Sequence, residues 1–223
     1  TGVVGRTFAA RLAGLGHESM LGTRDVAEKL ASTTMDYMGN PPFSEWYKSN
    51  NNVRLGTFSE AAAFGELIIN ATHGGSSLGA LNLAGTQNLN GKVLMDVANP
   101  LDFSQANSPS LIPGLSNTTS LAEVIQSNYP EVYVVKTLNT LTSSLMVNPQ
   151  LVAGGDHVNF ISGNDNEAKL KVRNLLYQFG WKDENLMDLG DITAARGTEM
   201  YLPLWIRLWG ATKTGVFNIK LAI

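Results

Sequence analysis

Thr1-Gly2-Val3-Val4-Gly5-Arg6-Thr7-Phe8-Ala9-Ala10-Arg11-Leu12 is the stretch on which the reading of this chain turns. Its two glycines, three residues apart, run straight into a one-sided apolar pattern, as the second and third glycines of a G-x-G-x-x-G loop run into its helix. In such a loop Gly2 lets a pyrophosphate approach the backbone, Gly5 lets the helix pack closely on a sheet, and the free N–H groups of the first turn bind the anion. The first glycine and the hydrophobic strand that precedes it are expected upstream of Thr1. A glycine pair alone is weak, because a chain with 22 glycines will contain G-x-x-G by chance, and an ordinary loop before a helix is the competing reading. The rest of the chain has to decide.

Composition narrows the field. With 223 residues, 43% of them hydrophobic, the chain can bury one sizeable core. Sixteen Lys and Arg against 19 Asp and Glu give a net charge of −3, which is no footprint for nucleic acid or an anionic membrane. There is no cysteine, and the three histidines, His17, His73 and His157, lie far apart in the sequence, so thiol chemistry is excluded and a catalytic metal is not expected. No apolar run approaches the roughly 20 residues of a membrane span. No signal peptide is visible either, and a cytoplasmic location is expected.

Short apolar runs alternate with helical patterns along the whole chain, the signature of a mostly parallel, doubly wound α/β sheet of the Rossmann-like kind. Helices are expected over residues 4–15, 26–38, 60–64, 77–84, 119–126 and 167–179, the last of them with Leu170, Val172, Leu175, Leu176 and Phe179 in its apolar pattern. Strands are expected over 17–21, 53–55, 67–71, 92–97, 132–135, 157–162 and 186–189, those at 67–71 and 92–97 buried by their continuous apolar runs. Residues 103–115, rich in Ser, Pro, Asn and Gly, read as a long surface loop. The aromatic tail over 192–209 is helical in pattern. Residues 1–155 are thus assigned to the nucleotide-binding domain, and 156–223 to a final strand-helix unit and a small helical C-terminal part packed on it.

Ligands of open α/β sheets sit beyond the carboxyl ends of the strands. Four such ends carry small or polar residues: Thr23-Arg24, Thr72-His73-Gly74-Gly75, Ala98-Asn99-Pro100 and Lys136-Thr137-Leu138-Asn139. The end of the second strand discriminates between nicotinamide cofactors, since an NAD site normally places Asp or Glu there to bind the ribose diol. Here the hydroxyl of Thr23 and the guanidinium of Arg24 are donors suited to a 2′-phosphate, so NADP is expected, although Asp25 follows at once. A bare helix cap is the alternative reading of Thr23-Arg24-Asp25.

His73 is the one histidine at an expected strand end, and with Lys136 it is a weak candidate for acid catalysis. An ordinary loop role suits His73 equally for cofactor contact and better for proton transfer. Lys136 either faces the site or pairs with a carboxylate, and Asp96, inside a strand, reads as a structural acceptor. Asn99-Pro100 is a tight turn placed to bring carbonyls near the nicotinamide. Met200, Tyr201, Leu204, Trp205, Leu208 and Trp209 recur at helical spacing, which reads as core or as the interface of a homodimer formed through the C-terminal helices.

Taken together, the opening stretch TGVVGRTFAARLAGLGHESMLGTRD, the strand ends NATHGG and MDVANPLD, the run VVKTLNTL and the tail DLGDITAARGTEMYLPLWIRL resemble the deazaflavin-coenzyme-dependent NADP oxidoreductase family over nearly the whole chain. The resemblance implies hydride exchange between NADP(H) and a deazaflavin or flavin-like acceptor. It implies that Thr1, Gly2, Val3 and Val4 contact the pyrophosphate, Thr23 and Arg24 the 2′-phosphate, and Thr72 and His73 the ribose and nicotinamide side. A second class stays open, a non-catalytic NADP(H)-binding redox sensor or regulator, because a fold binds a cofactor without obliging chemistry. The expected partner is in either case a small molecule or coenzyme.

Overall fold

The computed structural model describes residues 1–36, 39–104 and 109–222. Its chain runs α1 (Val3–Gly14), β1 (Ser19–Thr23), α2 (Val26–Ala31), α3 (Phe43–Lys48), β2 (Val53–Thr57), α4 (Phe58–Phe64), β3 (Leu67–Asn70), α5 (Ser77–Ala84), α6 (Thr86–Leu89) and β4 (Val93–Asp96). It continues through β5 (Leu101–Asp102), β6 (Ser110–Leu111), α7 (Leu121–Asn128), β7 (Tyr133–Thr137), α8 (Ser143–Val147), β8 (Asn159–Gly163), α9 (Asn166–Phe179), β9 (Leu186–Asp188), α10 (Ala195–Met200) and α11 (Leu202–Thr212). No helix among the described residues is long and apolar enough to cross a membrane.

The main sheet has the order β3-β4-β7-β8-β9, and β4 lies inside it with all four residues buried. Its side chains alternate between two cores. Val93 and Met95, with Val135, join Phe8 of α1 and Val172, Leu176 and Phe179 of α9 on one face. Leu94, with Val134, joins Ala62, Leu81, Leu121 and Ile125 of α4, α5 and α7 on the other. A strand covered on both faces must be apolar at every position, which is why β4 reads as an unbroken run. Each such side chain contributes about 1.5–3 kcal/mol. β8 runs antiparallel to β7, in the register Val135↔Gly163 to Thr137↔Ile161.

β1 and β2 form a separate parallel pair in the register Ser19↔Val53 to Thr23↔Thr57. Among the described residues, β1 is paired only with β2 and β3 only with β4. The other edges of β1 and β3 line one cavity of about 770 Å³, whose depth is apolar, walled by Phe8, Ala9, Leu21, Phe58 and Ile69. The expected buried strand at 67–71 is accordingly corrected: three of the four residues of β3 are only half-buried, since one of its edges opens on the cavity.

Other expectations shift locally. The helix expected over 26–38 stops at Ala31, where Ser32-Thr33-Thr34 compete for the backbone with their own hydroxyls, and positions 37 and 38 lie outside the described residues. The strand expected over 17–21 is β1, two residues later. The loop expected over 103–115 is the connection of a short antiparallel hairpin, β5 with β6, and its residues 105–108 are outside the described set. The tail is helical and its start is core, with Ile192 and Ala195 joining the second cluster, but within α11 only Leu202 is buried, while Leu204 and Trp209 are exposed.

Candidate functional site

Helix α1 begins at Val3 with Gly2 as an extended N-cap that offers no side-chain bond, and its first turn holds no acidic residue. Its leading N–H groups are therefore free for an anion, which the positive end of a 12-residue helix favours. A Cβ on Gly5 would lie at an ordinary van der Waals distance, 3.5 Å, from the Leu21 side chain of β1, so the tight helix–strand approach expected of the third glycine is not seen at this position. The following Arg6 is a feature the sequence reading missed: buried, it donates to the Asp36 carboxylate and to the Pro41 carbonyl, both at 2.9 Å, and ties those two residues to the first turns of α1.

The polar mouth of the cavity lies at the carboxyl ends of β1 and β3. Thr1, Gly2, Thr23, Arg24, Thr72 and His73 all line it, so the structure brings together six of the expected contact residues from three chain segments. Arg24 is exposed and forms no ion pair with the described residues. Asp25, the complication for a phosphate site, is engaged as the N-cap of α2, its carboxylate accepting from the Glu28 N–H at 2.9 Å. Lys29, one turn on, also lines the cavity and rests over the Phe43 ring. Sequence reading missed it, since a helical lysine carries no signal of its own.

Other expected residues sit elsewhere. The side chains of Val3 and Val4 are off the cavity wall, Val4 packing on the core, while their backbone N–H groups are those of the uncapped first turn of α1. Ala98, Asn99 and Pro100 are likewise off the cavity wall, Ala98 and Pro100 being buried. Their turn presses on the His73 loop instead: the Gly74 N–H donates to the Asn99 carbonyl at 3.2 Å, and a Cβ on Gly74 would collide with that oxygen. The Asn99 amide donates to the Asn139 carbonyl at 2.7 Å and accepts from the Asn139 amide at 2.9 Å. Leu138, which precedes Asn139, holds a left-handed φ of 57°, a strain of about 1–3 kcal/mol for a residue without a glycine's freedom. Asn159 accepts its N–H at 3.1 Å and helps to hold it there.

Lys136 is not a site residue, and that candidate is corrected. Its ammonium is 1% exposed and meets Asp96 and Glu199 at 2.8 Å each and the Ala98 carbonyl at 2.5 Å. Burial alone would depress its pKa, but the Asp96 and Glu199 carboxylates outweigh burial and hold it above the ordinary lysine value. Burial pushes Glu199 up, against the pull of Lys136. The other candidate, His73, is exposed at the mouth with its ring 5.7 Å from that of Phe103. His157 is structural, bonded to the Pro149 carbonyl and to Asn218.

Among solved structures, a protein of Arthrobacter sp. FB24, itself assigned by inference as an F420-dependent NADP-reductase, is similar to the chain at 54% identity, covering 100% of this chain and 96% of that one with a TM-score of 0.92. The chain belongs to that family. A hypothetical protein of Sinorhizobium meliloti shares the fold at 22% identity, over 87% of this chain and 84% of that one (TM-score 0.63). An imine reductase of Myxococcus stipitatus, solved with NADP+, shares it at 14% identity, over 96% of this chain and 60% of its own (TM-score 0.60). No family model and no curated protein matches the chain.

Proposed function

We propose that the protein exchanges hydride between NADP(H) and a deazaflavin coenzyme. The observation that carries the nucleotide half is the meeting of three features at one mouth: the uncapped start of α1, Thr23 with the unpaired Arg24, and the Thr72-His73 turn. Thr23, Arg24 and Lys29 supply one hydroxyl and two cations for a 2′-phosphate, and charge-assisted bonds of this type contribute about 1.5–3 kcal/mol each. The pyrophosphate falls to the N–H groups after Gly2. Thr72 and His73 are left for the ribose and nicotinamide.

The acceptor half rests on kinship and on what the mouth lacks. The Arthrobacter protein carries a deazaflavin coenzyme in its name. When bound, the two rings supply the hydride donor and acceptor. The chain's own residues then have to stack them at near-attack distance, roughly 3–3.5 Å, and exclude water. A carbonyl or imine reductase must in addition protonate a developing anion. With Lys136 sealed in the interior, His73 is the one candidate acid left at the mouth among those the strand ends offer. Positioning is the main device left.

Steady-state oxidation of NADPH against a panel of deazaflavin, flavin, quinone, carbonyl and imine acceptors tests the reading. A deazaflavin is expected to be the best acceptor. Turnover confined to carbonyls or imines would overturn it.

A further inference from the structure

An unbroken run of hydrogen bonds connects the C-terminal helices to the mouth of the cavity through four buried side chains. Glu199 of α10 accepts the N–H groups of Leu121 and Ala122, in the first turn of α7, at 2.8 and 3.2 Å, and meets Lys136 of β7 at 2.8 Å. Lys136 spends its other two protons on Asp96 Oδ2 and the Ala98 carbonyl. Asp96 Oδ1 in turn accepts from Asn70 Nδ2 at 2.8 Å and from the Ala98 N–H at 3.2 Å. Asn70 Oδ1 accepts the Thr72 hydroxyl at 2.7 Å, and Thr72 faces the mouth.

Stability alone does not account for this arrangement. Buried ion clusters can usually be replaced by apolar groups of like volume without loss, because desolvation offsets the attraction. What the cluster does fix is geometry. Lys136 and Asp96 grip Ala98 by both its carbonyl and its N–H, and so set the turn that presses on Gly74. Asn70, held by Asp96, sets the direction of the Thr72 hydroxyl, which also bonds Ser77 at 2.9 Å. The phosphate-binding elements, α1 and the end of β1, are outside the run. The two halves of the site thus have separate supports.

We propose that Glu199, Lys136, Asp96 and Asn70 are positioning residues for the ribose and nicotinamide half of NADP(H), acting through Thr72 and the Ala98–Pro100 turn. The proposal rests on the cofactor reading above. Its signature is selective: loosening the run costs affinity for the whole cofactor and spares a fragment that ends at the adenosine phosphates.

Calorimetric titration with NADP+ and with adenosine 2′,5′-bisphosphate reads that difference in the wild type, Glu199→Gln and Asn70→Ala. Both variants are expected to bind NADP+ about 3–10-fold more weakly, the equivalent of one hydrogen bond, and the bisphosphate within about twofold of wild type. Asn70→Ala cuts the run while leaving the three charges paired, and carries the test should Glu199→Gln not fold. Thr72→Val is expected to match them, and Thr72→Ser to restore wild-type affinity. Equal losses for both ligands, or no loss for either, overturn the positioning role while the cofactor reading stands. A wild type that binds neither ligand overturns both.

Discussion

The ammonium of Lys136 lies 2.8 Å from the carboxylate of Asp96, with 1% and 0% of the two side chains exposed. That contact takes the one lysine at a strand end out of reach of any substrate. It also makes the lysine a structural liability if removed.

Lys136→Met leaves two buried carboxylates without their cation, and should cost about 3–5 kcal/mol of stability. Because the Asp96 and Glu199 carboxylates hold the lysine pKa above the ordinary lysine value in the folded chain, the folded chain keeps a proton that the unfolded chain gives up. The stability this contributes is complete below about pH 10.4 and is lost as pH rises through the higher folded value. Thermal melts between pH 8 and 11.5 should therefore show a steep alkaline decline in the wild type. A variant that melts like the wild type but has no turnover would return Lys136 to the list of acids.

Arg24→Ala should weaken NADPH binding about tenfold or more and leave NADH nearly unchanged, because only the 2′-phosphate loses a partner. Lys29→Ala should follow the same pattern with a smaller loss. Fluorescence titration of both cofactors measures this. Parallel losses for NADH and NADPH would move the 2′-phosphate elsewhere.

His73→Ala should lower turnover with a deazaflavin acceptor by less than about tenfold, well short of the 10²–10⁴ that follows loss of a general acid. Single-turnover kinetics at saturating NADPH separates this from binding. Abolished turnover with intact binding would mean that the site protonates its substrate.

How much of this could be read from the chain alone follows from the range of each signal. The strand runs at 93–96 and 133–137 and the start of α7 are local patterns, and local chemistry forms them: Ser120 caps α7 by accepting the Glu123 N–H at 3.1 Å. Thr23, Arg24, Thr72 and His73 were legible because strand ends collect ligands. The partners of Lys136 were not, since Asp96 and Glu199 lie 40 and 63 positions away and only the packed sheet brings them together. The same holds for Ala98–Pro100, whose sequence marks a turn but not which side of His73 it occupies. Exposure of the aromatic tail was equally hidden, because helical spacing of Met200, Leu204 and Trp209 is the same on a buried face and on a bare one.

Direct hydride exchange between NADP(H) and a deazaflavin is proposed at the mouth formed by α1, Arg24 and Thr72. Its most direct test is isotope tracing with NADPH deuterated at the nicotinamide C4, run in ordinary water with a deazaflavin acceptor. A deazaflavin accepts hydride at carbon and retains the label. Deuterium from one face of C4 should be recovered in the reduced deazaflavin, with a primary isotope effect on the transfer step. Label lost to solvent, or oxidation of NADPH with no label in the acceptor, would contradict it.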